Sequence, residues 1–180
     1  MMGSKDLEIK QEIDKILQGK SVGMKLKTYF ENMPEERIRR AIHVFASIYP
    51  DKQVISDDDF VFIPYILSEE KFLKQQSFSD FIRSLNLIHY TENQRNVLVN
   101  VIKEHFEALC EVCTFELDSL LIKIFGRSDL FRYMETLASN GSAVVLQRIS
   151  DILKYEDFSS INVSDEALER LRMFCTNTKS

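Results

Sequence analysis

From Thr91 to Cys113 the chain keeps a helical rhythm without a single glycine or proline, and no other stretch limits the fold as much. Thr91-Glu92-Asn93-Gln94 has the form of a capping box, in which hydroxyl and amide each satisfy a free backbone N–H of the first turn. Val97, Leu98, Val101, Ile102, Phe106, Leu109 and Cys113 step by one, three or four and so share one helix face. At about 100° per residue, Glu104, Glu107 and Glu111 fall together on the opposite face. The pattern predicts one long helix with a core side and an acidic side.

The remaining chain is written in the same idiom. Only 5 Gly and 3 Pro leave little material for strand corners, so helices joined by short loops are expected throughout. Thirteen Phe and no Trp suit gaps between helices. Helix starts are expected at Ser4, Ser21, Pro34, Ser68, Thr91, Thr114, Ser128, Ser142 and Ser164, with Gly19, Gly126 and Asn140-Gly141 as stops. The expected fold is all-α, about eight or nine helices in an antiparallel bundle or a short helical-repeat-like stack. It is expected as a single domain over residues 1–175, with a frayed polar tail over 176–180.

Some local expectations are sharper. Gly23 weakens its helix by about 1 kcal/mol relative to Ala. Glu35–Arg39 and Glu36–Arg40 are spaced as i,i+4 ion pairs. Asp51 to Leu67 reads as a short helix that opens on Ser56-Asp57-Asp58-Asp59 and breaks near Pro64, because a proline pushes the preceding residue out of the helical region.

Charge and motifs exclude more than they offer. The net charge is −5, with 13 basic and 14 acidic residues in 1–90 against 10 and 14 in 91–180. Such a balance suits solubility or a basic partner better than a duplex nucleic acid, whose affinity comes from phosphate neutralisation. The first residues lead straight into a charged helix without an apolar leader, and the longest apolar run, Phe60 to Leu67, is too short to span a bilayer. Three cysteines point to a reducing, cytoplasmic setting. Cys110 and Cys113 lack the second ligand pair of a zinc site and close a helix rather than open one, so they read as core thiols. His105 falls among Leu98, Ile102 and Leu109 and reads as a buried neutral histidine. His89 reads as a loop residue, and His43 as a solvated one beside Arg39 and Arg40. The chain carries no His-Glu-x-x-His, no Gly-rich phosphate loop and no Gly-x-Ser-x-Gly elbow. Asp57, Asp58 and Asp59 read as helix-capping carboxylates, without the later Glu of a calcium loop. No cofactor, metal ligand or catalytic residue is therefore expected.

The expected function is non-enzymatic protein binding. Glu104, Glu107 and Glu111, with Glu116 and Asp118, would present an acidic face to a basic partner. A neutralising protein of the immunity or antitoxin kind, or an adaptor, would work this way. The alternative is a ligand- or metal-binding bundle or enzyme assembled in three dimensions around His105. A second alternative is a nucleic-acid module using Lys25, Lys27, Arg37, Arg39 and Arg40.

Overall fold

The computed structural model describes residues 3–48, 54–112 and 115–177. Among these residues the chain is helical, apart from one isolated parallel bridge between Val54 and His89. It divides into two compact units, Met1–His105 and Phe106–Ser180.

The first unit carries α1 (Ser4–Leu17), α2 (Val22–Glu31), α3 (Glu35–Ile48), α4 (Asp57–Phe60), α5 (Phe62–Ser68), α6 (Glu70–Leu73), α7 (Phe78–Leu85) and α8 (Glu92–Glu104). Its centre is aromatic. Phe30, Phe45, Phe62, Phe72 and Phe81 are fully buried. Phe62 lies 5.3 Å from Phe30, 5.1 Å from Phe45 and 6.2 Å from Phe81, and Phe72 lies 5.7 Å from Phe30. Tilted and edge-on rings at these distances stabilise one another beyond the area they bury. Ion pairs and side-chain hydrogen bonds set the neighbours of α3. Asp6 meets Arg40 at 2.9 Å and Glu12 meets Arg37 at 3.7 Å, so α1 runs antiparallel to it. Arg39 meets Gln76 and His43 meets Asp80, so α7 runs parallel to it. The expected bonds from Glu35 and Glu36 within α3 give way to these, because Arg39 and Arg40 reach acceptors on neighbouring segments.

The second unit carries α9 (Phe106–Val112), α10 (Phe115–Phe125), α11 (Arg127–Ala138), α12 (Ala143–Tyr155) and α13 (Asp165–Asn177). Leu117, Leu121, Ile124, Phe131, Met134, Ile149 and Ile152 fill its core. The helices outnumber the eight or nine expected, because two expected helices are interrupted and short turns are helical in their own right.

The largest departure is in the long central helix. The capping box is present: Thr91 Oγ1 accepts from the Gln94 N–H at 3.1 Å, and Gln94 Oε1 accepts from the Thr91 N–H at 3.0 Å. The helix then stops at His105, whose φ of −115° and ψ of 20° leave the helical region. No glycine or proline marks this break. Phe106, the next residue, is buried with its ring 5.4 Å from Tyr133, so packing turns the chain where local sequence would continue it. Val97, expected on the core face, is 43% exposed; the buried face is Gln94, Leu98 and Ile102. Cys113 and Thr114 lie outside the described residues, as do Tyr49 to Gln53.

Other boundaries also move for physical reasons. The interruption expected near Pro64 falls at Val61, between α4 and α5. Pro64 occupies the first turn of α5, where its missing N–H has no intrahelical partner to lose. Ser56 caps α4 as expected, accepting from the Asp59 N–H at 3.2 Å. Ser68 closes α5 instead of opening a helix, and Glu69 stands at the N-cap of α6. Ser128 lies inside the first turn of α11, and Gly126 precedes it at the N-cap with φ 78°, a conformation side chains disfavour. Helix α13 continues through Thr176, whose hydroxyl donates to Arg172 O at 2.9 Å, so the expected tail is helical there. Residues 178–180 lie outside the described residues.

Candidate functional site

The interruption at His105 redistributes the expected acidic face. Glu104 is exposed at the end of α8 in the first unit. Glu107 and Glu111 are exposed in the second unit, four residues apart and hence one above the other on α9. No ion pair engages either of them among the described residues. Glu116 is half-buried in the first turn of α10.

Asp118 does not belong to that face. It is only 3% exposed, and both its oxygens accept from Arg148 Nη1, at 3.3 and 3.4 Å. Asp118 shares its side of α10 with Leu121 and Phe125, and Arg148 shares its side of α12 with Val145, Ile149 and Ile152, all buried. Two opposite charges thus occupy core positions and answer each other. Burial pushes the Asp118 carboxyl up to about 6; Arg148 pulls it back, while Asp151 and Glu156 add a smaller upward push. A charge at a core position on each of two helices is the sequence signal for this pair; Asp118 is buried and does not belong to the expected acidic face.

His105 is half-buried at the C-cap of α8, not within an apolar face. Among the described residues no group of three His, Cys, Asp or Glu could hold a metal ion. Cys110 and Cys175 are buried. The acidic run at Asp57 serves structure: Asp57 Oδ1 and the Ile55 carbonyl both accept from Gln94 Nε2 at 3.0 Å. Gln94 therefore binds the loop before α4 with the same side chain that completes the capping box, a role no local pattern announces.

The basic residues do not share one surface. Arg37, Arg39 and Arg40 line an open cleft of about 1110 Å³ between α1, α3 and α7, together with Lys5 and His43. Arg37 and Arg40 are held by carboxylates, and Arg39 by Gln76 Oε1 at 3.1 Å. His43 Nδ1 lies 3.4 Å from Asp80 Oδ2. Glu8 and Glu36 also line the cleft, so its charge is balanced and its cations tie helices together. Lys25 and Lys27 lie on α2; Lys27 sits 5.4 Å from the centre of the Tyr65 ring.

One surface feature has no counterpart in the sequence pattern. Phe115 and Tyr155 are 63% and 56% exposed, and their rings meet edge-on at 5.5 Å. An isolated apolar residue at a helix start carries no signal of this kind, since most such residues turn inward. Among the described residues no helix is long and apolar enough to cross a membrane. No protein-family model matches the chain, and neither does any curated protein or solved structure.

Proposed function

We propose that this chain is a non-enzymatic protein-binding module whose second unit offers the α9 carboxylates to a basic partner. A neutralising protein of the immunity or antitoxin kind, or a cytoplasmic adaptor, would use such a surface. The observation that carries the reading is the exposure of Glu107 and Glu111 one turn apart, with no cation among the described residues engaged with either. The charge distribution supports it. Residues 106–180 carry 12 acidic and 8 basic residues, a balance of −4, which leaves −1 of the total −5 for residues 1–105. Short helices in a compact, antiparallel stack would hold such a face rigid, which lowers the entropy lost on docking.

Charge reversal tests it directly. Tagged wild type and a Glu107→Lys/Glu111→Lys variant are compared in pull-downs from the native host at low and moderate salt, with mass spectrometry of the bound fraction. A stoichiometric basic protein retained by wild type at low salt, released at moderate salt and not retained by the variant is the expected result. Equal capture by a variant with unchanged helical circular dichroism would sink the acidic-face reading.

A further inference from the structure

The connection between α11 and α12 carries an Asn-Gly step, and no other asparagine of the chain precedes glycine. Helix α11 ends at Ala138, α12 begins at Ala143, and residues 139–142 span the gap. The Asn140 N–H donates to Leu137 O at 3.2 Å, which turns the chain back over the last turn of α11. Gly141 then lies against that turn. A Cβ there would stand 2.8 Å from Leu137 O and 3.2 Å from Val145 Cγ1. A backbone oxygen in a helix yields only at a cost, so the close approach calls for glycine.

The glycine that closes the turn also leaves its neighbour unshielded. Asn140 is exposed, and among the described residues its side-chain amide makes no hydrogen bond. The Gly141 N–H makes none either. Attack by the Gly141 nitrogen on Asn140 Cγ closes a five-membered ring, an intramolecular step that needs no second molecule to be brought into place. A side chain on the following residue would crowd that approach, and every other asparagine precedes a residue that has one. Asn93, Asn96 and Asn100 lie in addition within α8, where the helix fixes the backbone.

We propose that Asn140-Gly141 is a site of spontaneous modification, at which the neutral amide of Asn140 becomes a carboxylate with water as the co-reactant. The Gly141 nitrogen bonds to Asn140 Cγ and the bond from Cγ to Nδ2 breaks. The proton of the Gly141 N–H leaves with the amide as ammonia. Water then opens the cyclic imide, and no electrons are exchanged. Opening between Cγ and the Gly141 nitrogen gives aspartate on an unchanged backbone. Opening between the Asn140 carbonyl carbon and that nitrogen gives isoaspartate, whose main chain is longer by one methylene. Either product adds one negative charge to residues 106–180, whose 12 acidic and 8 basic residues then balance at −5 instead of −4. This chemistry does not depend on the acidic-face reading.

The turn holds the two products differently. Aspartate keeps the approach of Gly141 to Leu137 O. Its charge is unfavourable at the end of α11 and favourable before the start of α12, so the two dipole effects oppose each other. Isoaspartate moves Gly141 out of register with Leu137 O and Val145, and so loosens the turn between the two helices.

Full-length protein incubated in mildly alkaline buffer, both folded and in urea, tests the site. Digests are followed by mass spectrometry and by isoaspartyl-specific enzymatic methylation. The folded chain is expected to gain the mass difference between water and ammonia at Asn140 before any other asparagine. Asn140→Gln, whose longer side chain would have to close a six-membered ring, is expected to stay unmodified at that position with unchanged helical circular dichroism. The isoaspartyl fraction, separated by ion exchange, is expected to melt below wild type, while Asn140→Asp melts with it. Conversion of Asn140 in urea but not in the folded chain overturns the proposal, because the turn would then protect the pair. Faster conversion of another asparagine in the folded chain also overturns it. An isoaspartyl fraction that melts with wild type refutes the loosened turn and leaves the modification site standing.

Discussion

Asp118 and Arg148 give the clearest case in which single residues govern behaviour. A carboxyl raised to about 6 from its ordinary 3.8 holds its proton more tightly in the folded chain than in the unfolded one. The stability this gives is fully present below about pH 4 and is lost as pH rises through about 6. Wild type should therefore lose stability relative to Asp118→Asn across that window, by an amount of order 3 kcal/mol. Urea denaturation in half-unit pH steps reads the difference, and a difference flat with pH would refute it. Arg148→Met tests the same pair from the other side. It leaves a buried carboxylate unanswered and should cost about 3 kcal/mol at pH 7. The cost should shrink near pH 5, where Asp118 accepts a proton. Both residues were visible in the sequence as charges at core spacing. Their meeting was not, because thirty positions separate them and only the packing of α10 and α12 supplies the partner.

Helix starts were readable where the chemistry is local. The capping box at Thr91 needs only four consecutive residues, and Thr91→Ala should lower stability by about 1 kcal/mol. Gln94→Ala should cost more. It removes the amide that donates to Ile55 O and Asp57 Oδ1 as well as the acceptor for the Thr91 N–H. Thermal unfolding of the two variants should rank them in that order, and equal losses would reduce Gln94 to its capping role. Gly23 shows where local reading stops. In an isolated helix Gly→Ala stabilises by about 1 kcal/mol. Here a Cβ would meet the Asp58 and Asp59 carbonyl oxygens at 2.5 and 2.6 Å, because α2 lies against the backbone of α4. Gly23→Ala should therefore destabilise, by about 1–3 kcal/mol; a rise in Tm would show that α4 yields. The end of α8 at His105 was illegible for the same reason, since it depends on Phe106 finding Tyr133.

For the molecule as a whole, composition foretold an all-helical chain and a surplus of acid in its second half. It could not foretell that four of the five net negative charges belong to residues 106–180, because the boundary at His105 is set by packing. Nor did it foretell the aromatic pair. An apolar residue at a helix start is taken as core until a structure shows it uncovered, as Phe115 is. The second unit holds a core of its own, from Leu117 and Leu121 on α10 to Ile149 and Ile152 on α12, and it contains both members of the buried ion pair. A domain of this size buries a smaller share of its surface than a larger one and sits near the lower limit of independent stability. Expressed alone, residues 106–180 should be helical by circular dichroism and should unfold cooperatively, with a Tm below that of the full chain. Its stability should fall as pH rises from 4 to 6.5, because Asp118 and Arg148 travel together in the fragment. A fragment without cooperative unfolding would show that the second unit depends on residues 1–105 for its fold, and the single-domain description would then be the correct one. A cooperative fragment that also retains the basic partner in the pull-down as strongly as the full chain would place the whole proposed interface within α9 to α13.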